Sequence, residues 1–157
     1  MDPLTELRVE AVRAGDRAVS DLLMRHHAVM RATSPIESCH VQTVDELIRD
    51  GARVFACRSG QGLLGVGAFK ALDPELAELK SMHTLAEARG QGVGRAVLLA
   101  ILDAARAAGH RRIALETGTA PVFAAARALY AAHHFTPCPP FGDYQCDPAS
   151  IFMSRAL

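Results

Sequence analysis

The chain has 157 residues, half of them apolar, with seventeen basic side chains balancing seventeen acidic ones. That length fits one domain, residues 1–157, with a sizeable core. No apolar run approaches the ~20 residues of a membrane span, Met1-Asp2-Pro3 opens no basic-then-apolar leader, and the balanced charge offers no global field for nucleic acid or an anionic membrane. The expectation is a soluble cytoplasmic chain whose anion binding is local. Cys39, Cys57, Cys138 and Cys146 are irregularly spaced beside apolar segments and read as mostly buried thiols. The pairs His26-His27 and His133-His134 point about 100° apart on a helix, so no metal site is expected.

In chain order, Glu6 to Val12 alternates charged and aliphatic residues as a half-buried strand does. Asp16 can cap a helix running to about Met30, with Ala18, Leu22, Val29 and His26 on its inner side. Thr43-Val44-Asp45-Glu46 has capping-box spacing, and Leu47-Ile48 followed by Gly51 predicts a short second helix. Arg53–Cys57 and Leu63–Phe69 read as a hairpin around Arg58–Gly62. A strand from Ala77 to Leu85 follows. A helix to Ala108 comes next, with Val97, Leu98, Ile101, Leu102 and Ala105 at helical spacing and Gly109 as its stop. Arg112–Thr117 is a strand, Pro121 opens a helix through His133, and Phe135–Cys138 and Ser150–Met153 supply the last strands. Pro139–Tyr144 between them is rich in turn residues.

Between the strand ending at Leu85 and the long helix lies Arg89-Gly90-Gln91-Gly92-Val93-Gly94. Glycines there remove the side chains that would block an anion, the helix start offers unpaired N–H groups, and Arg89 adds positive charge. The alternate glycines do not fit the dinucleotide-binding spacing G-x-G-x-x-G, and no Gly-Lys-Ser/Thr follows as a P-loop requires. Arg-x-x-Gly-x-Gly instead resembles motif A of the GNAT superfamily of N-acetyltransferases, in which this loop binds the pyrophosphate of acetyl-coenzyme A. The element order β-α-α-β-β-β-α-β-α-β-β is that of the same superfamily. So is Ala126-Arg127-Ala128-Leu129-Tyr130-Ala131-Ala132-His133-His134-Phe135, which resembles A-x-x-L-Y-x-x-x-G-F with His134 at the usual glycine. Phe123 stands where an asparagine is common. Ser34-Pro35-Ile36-Glu37-Ser38, Glu116-Thr117-Gly118 and Pro140–Tyr144 together resemble a bacterial subgroup of N-acetyltransferases with no assigned acceptor.

The resemblance implies an α/β (α+β) architecture, a mixed, mostly antiparallel sheet of about seven strands flanked by about four helices. It implies acetyl transfer from acetyl-CoA to an amine, with no metal. Cofactor contacts would come from Arg89 to Gly94, Arg95, Phe123 and Tyr130, and from the main chain of Met82, His83 and Thr84, pairing with the pantetheine arm like an added strand. Tyr130 matches the tyrosine that protonates the coenzyme A thiolate; a phenol near ~10 gives its proton to a thiol near ~8.5 only where the site favours the transfer. For the base, Glu116 ranks first, Glu78 second and His83 third, with a chain of waters as the remaining route.

The acceptor is open to several readings. Ser34, Glu37 and Ser38 lie where GNATs build the acceptor pocket, so Glu37 suits an ammonium and the serines a carboxylate; the same residues also make a helix start. Phe141 and Tyr144 form either an apolar acceptor wall or a pin for the last hairpin. The balanced charge shows no groove for a basic protein tail, which favours a small-molecule amine over protein acetylation. Phe123 and His134 keep open a non-catalytic acyl-CoA-binding module, and the small Ala114 and Gly118 leave room for a longer acyl group. GNATs often form homodimers; no residue pattern in this chain establishes one.

Overall fold

The computed structural model describes residues 6–33, 43–60 and 62–157, with the backbone alone at 26, 27 and 29–33. Ser34, Glu37, Ser38 and Cys39 lie outside the described residues, so both readings of the Ser34–Ser38 segment do too. The elements are β1 (Arg8–Ala11), α1 (Arg17–Thr33), α2 (Val44–Arg49), β2 (Arg53–Ser59), β3 (Gly62–Ala71), β4 (Leu76–Thr84), α3 (Val93–Ala107), β5 (Arg112–Gly118), α4 (Ala124–Ala132), β6 (Thr136–Pro137) and β7 (Ser150–Ala156). One seven-stranded sheet runs in the order β1-β2-β3-β4-β5-β7-β6, and only β4 and β5 pair in parallel. This is the expected mixed sheet. Pro121 opens a 3-10 turn over Pro121–Phe123 before α4, rather than the helix itself.

Apolar residues of the strands divide between two faces. On one, α3 buries Val97, Leu98, Ile101, Leu102 and Ala105 against Phe55, Phe69, Leu79, Ile113 and Leu115. On the other, α1 and α2 bury Val19, Leu22, Leu23, Val44 and Leu47 against Val54, Ala56, Val66 and Ala68. Each fully buried Leu, Ile or Val contributes about 1.5–3 kcal/mol of transfer free energy. On the inner face of α1 Leu22 is buried as expected, but Val19 rather than Ala18 is buried beside it, and the side chains of His26 and Val29 lie outside the described set. Asp16 Oδ1 caps α1 by accepting from the Val19 N–H at 3.1 Å. Thr43 Oγ1 caps α2 by accepting from the Glu46 N–H at 3.2 Å.

The thiols depart from expectation. Cys57 is buried, Cys138 half-buried and Cys146 exposed. Cys146 lies in the loop before β7, where the ring contacts are made by Phe141 and Tyr144 instead. Among the described residues no helix is long and apolar enough to cross a membrane.

The end of α4 explains the spacing from Tyr130 to Phe135. The Phe135 N–H donates to Tyr130 O at 3.1 Å and the His134 N–H to Ala131 O at 3.2 Å, the two bonds of a Schellman motif. Its characteristic apolar contact is the Tyr130 and Phe135 rings, whose centroids are 5.7 Å apart. The motif requires a left-handed residue at 134, and His134 has φ +69°. A side chain there costs about 1–2 kcal/mol, which glycine avoids at the expense of greater unfolded-state freedom. His134→Gly is therefore expected to stabilise the fold by about 1 kcal/mol, read as a rise of ~2–4 °C in Tm by calorimetry.

Candidate active site

The site is built on a gap in the sheet. Parallel pairing between β4 and β5 ends at Leu79↔Leu115, although β4 continues to Thr84 and β5 to Gly118. An irregularity in β4 bends it away. Between the pairs Val66↔His83 and Ala68↔Lys80, β4 carries one residue more than β3, and Ser81 within that bulge has φ +60°. Gly67 makes room opposite: a Cβ there would lie 2.5 Å from Met82 Sδ and 2.7 Å from Val97 Cγ1. Beyond Lys80 the main chain of β4 thus has no strand neighbour on its β5 side.

The outer part of the cleft is a groove of ≈ 400 Å³. Met82, His83 and Thr84 line one wall, Arg89, Gly90, Gly92, Val93, Gly94 and Arg95 its end, and Phe123 and Tyr130 the other wall. Gln91 is not among the lining residues; its Nε2 donates to Glu87 O at 3.4 Å. The first bond within α3 is from the Ala96 N–H to Gly92 O at 3.0 Å, so the N–H groups of Val93, Gly94 and Arg95 have no acceptor within the helix. Gly90 and Gly92 have φ of +77° and +84°, and an added Cβ at either meets nothing within 4 Å. Open space over exposed N–H groups, beside Arg89, fits a pyrophosphate.

Next to the groove, and sharing Met82, Phe123, Ala126 and Tyr130 with it, lies a chamber of ≈ 80 Å³ between β4 and β5. Phe123 lies directly over Gly118, where any Cβ would overlap its ring. Arg127 Nη1 donates to Gly118 O at 2.7 Å and to Ala120 O at 3.1 Å, tying the end of β5 to α4. Tyr130 is 5 % exposed, and burial pushes its phenol pKa well above the ordinary value. The hydroxyl therefore stays protonated across the working range.

Glu78 and Glu116 lie on the sheet face shared by Ala68 and Ala114, opposite to α3. Burial raises the Glu116 pKa first, the Glu78 charge raises it further, a Ser150 hydrogen bond opposes the rise, and Asp147 adds to it. Glu78 is not a solvated strand residue; it is 6 % exposed and accepts a 2.5 Å hydrogen bond from the Tyr144 hydroxyl. Burial, the Glu78 charge and that bond hold the Tyr144 phenol protonated. Phe141 packs edge-on against Tyr144 and Phe152, with centroids at 5.1 and 5.8 Å. The aromatic residues thus both form a wall beside the carboxylates and pin the loop to β7.

His83 fits the role of base worst. Burial first, then Arg89 and Arg25, lower its pKa to about 4, leaving a neutral and weakly basic imidazole. Four residues of this region were missed in the sequence: Lys80, Asp147, Ser150 and Phe152. Lys80 was readable from its alternation with Glu78, and the Asp147-Pro148 turn start from composition; contact with Glu116 was not.

Residues 19–135 match the model of the Acetyltransferase (GNAT) family. The chain is 38% identical over 141 residues to the uncharacterized N-acetyltransferase YsnE of Bacillus subtilis (strain 168), covering 90% of this chain and 93% of that protein. It is 39% identical over 140 residues to the uncharacterized N-acetyltransferase YedL of Escherichia coli (strain K12), covering 89% and 88%. A GNAT family acetyltransferase from Elizabethkingia anophelis, crystallised with acetyl-CoA bound, has the same fold at TM-score 0.71 and 15% identity, over 100% of both chains.

A ligand held by the native state raises stability by linkage. Acetyl-CoA at about 100 times its Kd is expected to add ~2.7 kcal/mol, visible as a shift of several degrees in a thermal melt. Gly92→Glu is expected to abolish the shift by placing a carboxylate over the exposed N–H groups. Arg89→Glu, at an ordinary φ of −66°, reverses charge without backbone strain and is expected to reduce the shift strongly.

Proposed function

The chain belongs to the acetyltransferase (GNAT) family, and on that premise we propose that it acetylates the primary amine of a small-molecule acceptor. The observation that carries this reading is the adjacency of two cavities that share Met82, Phe123, Ala126 and Tyr130: residues of the Arg89–Gly94 anion cradle line one and Glu116 lines the other. Acetyl-CoA supplies the thioester. Arg89, Gly92 and the α3 N–H groups anchor its pyrophosphate, and the unpaired main chain of residues 82–84 offers hydrogen bonds along the groove. The narrowness of the inner chamber supports a small acceptor over a folded protein surface.

Glu116 takes a proton from the acceptor ammonium. An alkylammonium near ~10.4 is far more basic than an ordinary carboxylate, and the raised proton affinity of Glu116 narrows that gap. Glu78 contributes chiefly through its charge, because the Tyr144 hydroxyl occupies its Oε2. Tyr130 lies where both cavities meet and donates a hydrogen bond to the departing sulfur; burial weakens the phenol as an acid, so its proton passes over only because the same burial makes the nascent thiolate a stronger base. Its position is held by the Schellman turn and the Phe135 ring.

The activity follows from these roles. kcat/KM is expected to rise with pH along a limb set above the ordinary glutamate value of 4.5, because Glu116 must be ionised to act. Glu116→Gln is expected to flatten that limb and lower the rate about 10²-fold, and Tyr130→Phe to lower kcat about 10²-fold while acetyl-CoA still raises Tm. An unaltered pH profile in the glutamine variant would move the base elsewhere.

Stability runs the other way. A carboxyl whose folded pKa is raised is protonated in both states at low pH; as pH rises through the folded value, ionising it in a buried site costs the folded state free energy. Glu116→Gln is therefore expected to raise Tm at pH 8 and to leave it nearly unchanged near pH 4. This comparison needs only melts of the two proteins.

A further inference from the structure

Resting on the acetyl-transfer reading, we propose that the acceptor is a zwitterionic α-amino acid with an aromatic side chain, its amino group at Glu116 and its carboxylate held by Lys80. The sheet places these two groups on facing walls. β4 pairs Glu78 with Ala114 of β5, and two residues further the same register would set Lys80 opposite Glu116. The strands have parted by then: both residues line the chamber between them, and no cross-strand ion pair joins the two. Lys80 is half-buried, and among the described residues its ammonium makes no ion pair or hydrogen bond.

Opposite charges on opposite walls select a ligand carrying both. The other carboxylates nearby already have partners: Glu78 accepts from the Tyr144 hydroxyl, and Asp147 Oδ1 accepts from the Ala149 N–H at 2.8 Å. Glu116 accepts from Ser150 and keeps further lone pairs for the ammonium, in a chamber that Lys80 also lines. An acceptor with an amine alone would leave the Lys80 ammonium uncompensated beside the bound cation, whereas a carboxylate next to the amine neutralises it.

The rings next to the two carboxylates give the side-chain preference. Phe152 pairs with Glu116 across β5 and β7, and its ring lies 5.8 Å from Phe141 and 5.6 Å from Tyr144. These three rings offer an aromatic side chain edge and face contacts beside the reacting nitrogen. In the reaction the new N–C bond forms as the thioester C–S bond breaks. Of the two protons lost by the nitrogen, one leaves through Glu116 to water and the other balances the proton that Tyr130 gives to the sulfur and regains.

The test compares L-phenylalanine with 2-phenylethylamine, which differ only in the carboxylate, by thiol release from acetyl-CoA. kcat/KM is expected to favour the amino acid at least about tenfold, Lys80→Gln to reduce that ratio about tenfold or more, and Lys80→Arg to retain most of it. A ratio at or below one, or a ratio that survives Lys80→Gln, overturns the proposal while leaving acetyl transfer intact. Titration calorimetry of both compounds into the protein saturated with coenzyme A separates the two readings. Binding of phenylalanine but not phenylethylamine, without turnover, upholds the Lys80–Glu116 site and removes the transferase reading; binding of neither removes the site.

Discussion

Four residue pairs of parallel pairing between β4 and β5, and no more, are the constraint on which the rest of the molecule depends. Had the two strands stayed zipped to Thr84 and Gly118, their hydrogen bonds would be satisfied and no space would exist between the helix layers. The extra residue around Ser81 turns β4 aside, and Gly67 on β3 lets the bulged strand and α3 approach one another. Strain at Ser81, on the order of 1–2 kcal/mol, is offset by the α3 packing on the same strands. The unpaired edge so created runs from the anion cradle to the carboxylates.

Burial then tunes the titratable groups along that edge in opposite senses. Removing water disfavours whichever form is charged, so Glu116 and Tyr130 hold protons more tightly while His83 holds one less tightly. Neighbouring charge reinforces both trends: Glu78 acts on Glu116, and Arg89 acts on His83. The same arginine that favours an anion at the glycine loop therefore also keeps the adjacent imidazole neutral. The charge at the glycine loop and the protonation of the neighbouring imidazole are electrostatically linked.

Much of this was legible in the chain. The glycine loop, the amphipathic period of α3 and the Leu129-Tyr130 segment carry their structure locally, because helix starts and helix ends are set by a few consecutive residues. Strand order was not legible, since β7 inserts between β5 and β6 through contacts that no periodicity records. The bulge at Ser81 has no sequence signature of its own, as serine seldom adopts a positive φ. Glu78 and Tyr144 are 66 residues apart, so their bond emerges only once the sheet has brought the last loop over β4. The one-residue error on α1 has a simpler cause: Ala18 and Val19 both suit a core, and only the crossing of the helix over β2 and β3 decides between them.

The Schellman turn at the end of α4 joins two properties that are usually separate. Tyr130 lends its carbonyl to the Phe135 N–H and its ring to the Phe135 side chain, so the geometry that stops the helix also aims the phenol. On the proposed role of Tyr130, helix termination in this chain becomes a kinetic variable: a substitution among residues 130–135 that loosens the last turn would slow turnover before it unfolds the chain. A residue as ill-suited to its backbone as His134 is accommodated because two backbone bonds and the Tyr130–Phe135 ring contact hold the turn, not the side chain at 134.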